Sequence, residues 1–177
     1  MQAGRVSRAP VVVLIVFGVV ATVLVFVGIQ RSGEPPPEVE ITRAGTAEEP
    51  RDVTVILRDF RFDPTPIVLV PGETVRFTIL NGGTLEHDFV IGDDAVQRAW
   101  AVAAAAAKPP SLLERAPPAS VPPDTGGLRV LLGSGDQAIV EYQVPGDQRL
   151  ALLCQLPGHI EKGMVGAVEL RDVVEGE

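Results

Sequence analysis

The sequence predicts an all-β domain, a sandwich or barrel of short strands, with one inserted helix and one membrane-spanning helix before it. Three observations support this prediction. Short runs rich in β-branched and aromatic residues alternate apolar and polar side chains, and turn dipeptides separate them. A continuous apolar block lies near the N-terminus. One alanine-rich segment has the capping signals of a helix.

The apolar block, residues 11–29, has the length of a membrane span. At about 1.5 Å per helical residue it crosses most of a bilayer core of roughly 30 Å. Arg5 and Arg8 precede it and the first acidic residue, Glu34, follows it. The positive-inside rule therefore predicts a cytoplasmic N-terminus and an extracytoplasmic, periplasmic domain. The block is longer than a signal-peptide core and ends without a small-x-small cleavage site, so we expect residues 1–30 to remain as a single-pass membrane anchor.

The composition after the anchor divides the chain into a linker, one domain and a tail. Residues 31–51 are rich in Pro and Glu, which is typical of a flexible linker. Residues 52–171 have the length of one domain, which we expect to be monomeric, and residues 172–177 form an acidic tail. Of the charged residues, 13 of 15 basic and all 23 acidic ones follow the anchor, which gives the exported part a net charge of −10. Such a surface does not favour nucleic acid as a partner.

Eight β-rich runs are predicted within residues 52–171. They lie at 53–57, 67–70, 74–80, 87–91, 128–132, 138–144, 150–154 and 165–170. Turn signals such as Pro71–Gly72, Asn81–Gly83 and Pro145–Gly146 separate them. Many short strands with regular turns favour a β-sandwich or barrel over a mixed α/β fold.

An insertion, residues 93–127, interrupts the strands. Asp93–Asp94 is an N-cap signal for a helix that continues to Lys108, where Pro109–Pro110 end it. One helix face is apolar and is expected to pack on the sandwich, with the tryptophan as its anchor: Val96, Trp100, Ala103 and Ala107. A proline-rich loop completes the insertion, and we expect the whole insertion to shape a docking surface.

Four residues carry metal-binding side chains. Apart from the initiator methionine, the chain has one cysteine, two histidines and one methionine, which are Cys154, His159 and Met164 in CQLPGHIEKGM and His87 in NGGTLEHDFVIGD. A single cysteine cannot form an internal disulfide. One thiolate, two imidazoles and a weak axial thioether are the ligand set of a type 1 copper site. Since Cys-x4-His-x4-Met holds three ligands on one short loop, the sequence predicts one rigid copper site.

The segments HDFVIGD and CQLPGHIEKGMVGAVEL resemble the two copper-binding segments of the cupredoxins, the plastocyanin and azurin family of blue copper proteins. The resemblance covers about residues 52–171 and implies a Greek-key β-sandwich with one type 1 copper ion at one end. It also implies the ligands of that ion, which are His87, Cys154, His159 and Met164. One-electron transfer between larger redox proteins is the activity that the resemblance implies.

Two positions depart from the pattern of that family. Asp88 stands where plastocyanin-like members usually have an asparagine, and Leu152 stands where many members have an aromatic residue. Both positions adjoin a predicted ligand strand, so the departures bear on the reduction potential and the rigidity of the site.

The predicted function is a one-electron Cu(I)/Cu(II) carrier on the outer face of the cytoplasmic membrane, with a cytochrome or membrane oxidoreductase as partner. His159 is expected to present its ring edge to that partner among Leu156, Pro157 and Ile160. Two alternatives remain: an extracytoplasmic copper chaperone or storage protein, and a mononuclear subunit of a larger oxidase or reductase. Catalysis by this chain alone is not expected, because it has no nucleophilic triad and lacks the further histidines of multicopper enzymes.

Overall fold

The computed structural model describes residues 40–107 and 119–174. Within these residues there are ten strands, which are β1 Arg51–Arg58, β2 Arg61–Asp63, β3 Ile67–Leu69, β4 Thr74–Asn81, β5 His87–Gly92, β6 Leu128–Leu132, β7 Gln137–Gln143, β8 Ala151–Leu153, β9 Val165–Gly166 and β10 Val168–Leu170. Helix α1 spans Asp94–Ala106, and a 3₁₀ turn covers Pro123–Thr125. The predicted run at 165–170 is two strands, since Ala167 leaves the sheet of β9 and bonds to Thr65 and Ile67 instead.

Two four-stranded sheets form the sandwich. One has the strand order β2-β1-β4-β7 and the other β6-β5-β8-β9, while β3 and β10 form a parallel pair beside them. Alternate residues of each sheet point into one shared core, where Phe77 of β4 and Phe89 of β5 meet with ring centroids 5.2 Å apart. The predicted inner face of β4 is confirmed, because Val75, Phe77 and Ile79 are fully buried.

Strand β5 is buried on both faces because helix α1 covers its outer side. All six residues of β5 are buried. The helix begins where the sequence predicts, with the Asp93 carboxylate accepting hydrogen bonds from Ala95 N and Val96 N. Gln97 then fixes the helix to the sheet, since its Nε2 donates to Val90 O of β5 at 3.0 Å and to Ala151 O of β8 at 2.9 Å. The insertion is therefore attached directly to two strands of one sheet.

The folded unit begins earlier than the linker composition predicts. Residues 40–50, predicted as part of a flexible linker, belong to the compact unit that starts at Glu40. Ile41 is buried against Val68 and Val70, and its carbonyl accepts a hydrogen bond from Val174 in the predicted acidic tail. Composition misses this contact because only one large apolar residue of the segment is buried, and its partners lie far along the chain.

The buried carboxylate of Glu73 holds this early segment in place. Glu73 accepts from Arg51 Nη2 at 2.5 Å and Nε at 2.8 Å, from Val70 N at 2.8 Å and from Gly45 N at 3.2 Å. Burial acts to raise the pKa of Glu73, but the bonds from Arg51, Val70 and Gly45 outweigh it and lower the pKa below its usual value.

The apolar block at residues 11–29 lies outside the described residues, so the predicted anchor has no structural description. Among the helices of the described part, none is both long and apolar enough to cross a membrane.

The Glu73→Gln variant should lower the free energy of unfolding by about 2–3 kcal/mol, because it leaves Arg51 without its buried counter-charge. Urea unfolding measures this change. In the wild type this contribution is present above the unfolded pKa and is lost as the pH falls through the lowered folded pKa, while the variant should lack that acid-dependent loss. Glu49→Gln is the matched control, because its pair with Arg43 is exposed and should contribute under about 1 kcal/mol. Equal effects of the two substitutions would contradict this account.

Candidate metal centre

The fold brings together two segments that are far apart in sequence. His87 is the first residue of β5, and Cys154 directly follows β8, the neighbouring strand in the same sheet. His159 and Met164 lie on the loop between β8 and β9. Two backbone hydrogen bonds close that loop, from Met164 N to His159 O at 2.9 Å and from Cys154 N to Met164 O at 3.3 Å.

Three donor atoms converge at the end of the sandwich. His87 Nδ1 lies 3.3 Å from His159 Nδ1, and the latter lies 3.2 Å from Cys154 Sγ. His87 and Cys154 are fully buried, while His159 is half-buried. Within the described residues these three side chains form a group whose ligand atoms all lie within 4.8 Å of one another.

The predicted fourth ligand, Met164, is also fully buried and belongs to the main hydrophobic core. Its backbone is hydrogen-bonded to those of Cys154 and His159, two of the three donor residues. A thioether in an apolar setting suits the weak axial position of a type 1 site, and Met164 stays our prediction for that position.

Asp59 orients the buried imidazole of His87. The Asp59 Oδ1 atom lies 3.1 Å from His87 Nε2 and also accepts from the backbone N–H of Thr84 at 2.9 Å and of Leu85 at 3.2 Å. Hydrogen bonds from Thr84 and His87 hold the pKa of Asp59 well below its usual value, so the group is a carboxylate at neutral pH. An ionised acceptor at Nε2 keeps the proton there and leaves the Nδ1 lone pair directed into the site.

The absence of a side chain at Gly83 allows Asp59 and His87 to come this close to each other. A Cβ atom at Gly83 would lie 2.5 Å from Asp59 Oδ1 and 2.9 Å from His87 Nε2. Any larger residue at this position would therefore separate the carboxylate from the imidazole.

Phe60 packs against both histidines. Its ring centroid lies 5.2 Å from that of His159 and 6.4 Å from that of His87, in edge-on contacts. The Lys162 ammonium lies 4.6 Å from the centre of the Phe60 ring. Phe60 has a φ of 65°, the left-handed region that a phenylalanine rarely adopts, and such strain is concentrated at functional sites. The turn between β1 and β2 thus supports the metal centre with two adjacent side chains.

The sulfur of Cys154 accepts a hydrogen bond from the Asp88 backbone N–H at 3.3 Å, and the backbone of Leu156 also bonds to it. Asp88 is fully buried, and its carboxylate lies 2.8 Å from Arg129 Nη2. Burial raises the pKa of Asp88 to about 6, with Arg129 acting in the opposite direction. Asp88 therefore ties the two ligand segments together through its backbone, while its side chain serves a different pairing.

The donor set fits a soft transition metal. Burial raises the pKa of the Cys154 thiol to about 11, so binding must replace a proton on sulfur. Burial, then the neighbouring His87, lowers the pKa of His159, which keeps its imidazole neutral and able to bind. Two imidazole nitrogens and one thiolate in a tight group are the equatorial ligands of a type 1 copper site.

Solved structures with the same fold define the class. The reduced auracyanin from Roseiflexus castenholzii aligns with a TM-score of 0.54 at 22% identity, over 72% of this chain and 99% of that one. Auracyanin A from Chloroflexus aurantiacus, a "blue" copper protein, aligns with a TM-score of 0.50 at 21% identity, over 68% of this chain and 99% of that one. The fold is therefore that of the cupredoxins.

A closer relative defines the family. The copper-resistant cuproprotein CopI of Rubrivivax gelatinosus is 38% identical over 126 residues, which cover 71% of this chain and 69% of the relative. No family model matches the chain. The chain belongs to the CopI cuproproteins, and copper is the metal that both its relatives and its donor set indicate.

The sequence reasoning located the metal donors but not their supports. Asp59, Phe60 and Arg129 were not predicted, because no motif links them to the ligands. Asp59 and Phe60 lie in the turn between β1 and β2, and Arg129 lies on β6 next to β5. Only the pairing of these strands brings the three residues close to the metal ligands.

Asp59→Ala should weaken copper binding by about 10–100-fold, since His87 loses the acceptor that fixes its orientation. Titration of the metal-free full chain against a competing chelator measures this. Asp59→Asn keeps an oxygen acceptor and should fall between wild type and alanine. Asp52→Ala is the control, because Asp52 lies on β1, the strand that precedes Asp59, and its side chain is 77% exposed. Wild-type affinity in Asp59→Ala would contradict the orienting role.

Copper binding at pH 7.5 should release about one proton, because the thiol pKa of about 11 keeps Cys154 protonated before the metal binds. Proton release in weakly buffered solution, followed with an indicator dye, measures this. A Cys154→Ser variant should release none at the same pH. Binding without proton release in the wild type would show that sulfur is not a ligand.

Proposed function

We propose that this chain is a type 1 copper protein that carries single electrons outside the cytoplasm. The observation that supports this most directly is the group formed by His87, Cys154 and His159, whose donor atoms already lie close together. When bound, copper supplies a one-electron couple between Cu(I) and Cu(II). The chain contributes a site that holds its ligands in place.

Several contacts restrict ligand movement. Asp59 fixes the His87 ring, the Asp88 N–H restrains the Cys154 sulfur, and the backbone bond from Met164 to His159 closes the loop. Phe60 packs against both imidazoles. Ligands restrained in this way need little rearrangement between oxidation states, which favours fast electron transfer.

The surroundings of His159 support its role as the contact point for a redox partner. This imidazole is the only half-buried member of the three-donor group. Its loop carries half-buried Leu156 and exposed Pro157 and Ile160, the last with 38% of its surface exposed. A small apolar surface of this kind suits transient docking of a cytochrome or membrane oxidoreductase.

The cellular location is part of this proposal. The apolar block at residues 11–29 and the basic residues before it support a membrane anchor with the copper domain on the extracytoplasmic side. The residues up to Glu40 would then connect the anchor to the folded unit.

A second candidate is copper handling in copper resistance, which the name of the Rubrivivax gelatinosus relative favours. A chaperone or storage protein must release copper to an acceptor, which requires accessible ligands. Two of the three clustered donors here are fully buried, and this burial favours the electron carrier.

The copper-loaded full chain should show an intense thiolate-to-copper absorption band that Cys154→Ser abolishes, because the band requires the sulfur ligand. Electron self-exchange should be fast, and copper transfer to a metal-free acceptor protein should be slow. Visible spectroscopy, exchange broadening of NMR signals and a metal-transfer assay measure the three quantities. Rapid copper transfer with slow self-exchange would favour the handling protein, and a colourless complex would rule out the type 1 assignment.

A further inference from the structure

A buried ion pair between Asp88 and Arg129 lies on the outer face of β5, next in sequence to the predicted ligand His87. Asp88 points to this face, opposite to Phe89 in the core, and Arg129 of β6 is its diagonal neighbour across the strand pair. One guanidinium nitrogen, Nη2, lies 2.8 Å from Oδ1 and 3.0 Å from Oδ2 of Asp88. The side chain of Asp88 is fully buried and that of Arg129 is 11% exposed.

The hydrogen bonds between Asp88 and Arg129 do not by themselves fix the orientation of the guanidinium. Nη2 donates to Oδ2, while Oδ1 has no hydrogen-bond partner within the described residues, so the pair lacks the two parallel bonds that define a fork geometry. Arg129 Nε has no hydrogen-bond partner among residues 40–107 and 119–174. The orientation of the guanidinium must therefore depend on its other contacts.

Trp100 of helix α1 contacts the guanidinium of Arg129. The Arg129 Cζ atom lies 4.6 Å from the centre of the Trp100 ring, within the range of a cation–π contact. Arg129 Nη1 also donates to Ala119 O at 3.4 Å, a residue of the same insertion. The insertion thus contacts the same guanidinium that pairs with Asp88.

Asp88 connects this arrangement to the sulfur. Its backbone N–H donates to Cys154 Sγ at 3.3 Å, while its carboxylate is held by Arg129. A buried carboxylate that loses its partner is destabilised, since an unpaired charge in the interior is costly, and movement toward water relieves that cost. Such a movement would turn the peptide of Asp88 and lengthen the bond to sulfur.

We propose that helix α1 acts on the metal centre through Trp100 and Arg129, two positioning residues that keep the Asp88 N–H bonded to the Cys154 sulfur. This inference rests on the copper site proposed above. A hydrogen bond to the thiolate stabilises its negative charge and favours the reduced metal, so loosening the bond should lower the reduction potential.

The first test uses the metal-free full chain and does not depend on copper. Amide hydrogen exchange of Asp88, followed by NMR, should quicken about tenfold in Trp100→Ala, because the N–H···S bond opens more often. Arg129→Lys keeps the charge but loses the planar contact with the ring, and should give a smaller increase. Val102→Ala is the control, since Val102 lies on the same helix and is 70% exposed. Its exchange should match the wild type.

The second test uses the copper-loaded full chain. The reduction potential should fall in Trp100→Ala and, to a smaller degree, in Arg129→Lys, and the copper EPR hyperfine splitting should change in the same order. If Trp100→Ala does not fold, Trp100→Phe and Arg129→Lys provide the same comparison with a smaller change.

Unchanged Asp88 exchange, potential and EPR spectrum in these variants would overturn the inference. A chain without a type 1 spectrum would contradict the proposed function, while the exchange measurement would still decide whether α1 acts on the Asp88–Cys154 bond.

Discussion

The convergence of three donor atoms on one point inside the protein is the constraint on which the remaining structure depends. Two imidazole nitrogens and a sulfur each lie within 3.3 Å of a neighbour in this group. A contact with a neighbouring residue restrains each of the three ligands. Asp59 holds His87, the Asp88 N–H restrains Cys154, and the closed loop before β9 sets the position of His159.

The same arrangement explains how the chain can have Asp88 after His87, where plastocyanin-like proteins usually have an asparagine. The backbone of Asp88 links the two ligand segments, and its side chain is free to form a buried pair with Arg129. The insertion reaches this pair, because Arg129 contacts Trp100 of helix α1 and donates to Ala119 O. The residue that departs from the family pattern and the insertion are thus connected through Arg129.

The sequence predicted the features whose signals are local. The strand Leu128–Leu132 and the Asp93 helix cap were predicted correctly from alternation and capping chemistry, and His87, Cys154 and His159 were identified from ligand type and spacing. Long-range pairings were not predictable: Asp59 lies 28 residues from His87, and Arg129 lies 41 residues from Asp88. The packing of residues 40–50 was missed for the same reason, because the partners of Glu73 and Ile41 are set by the fold and not by composition.

X-ray absorption at the copper edge of the loaded full chain tests the central claim most directly, since it reports the atoms bound to the metal. We expect one sulfur and two imidazole nitrogens in the first coordination shell, with one imidazole contribution lost in a His87→Gly variant. A first shell without sulfur, or one that His87→Gly leaves unchanged, would contradict the account.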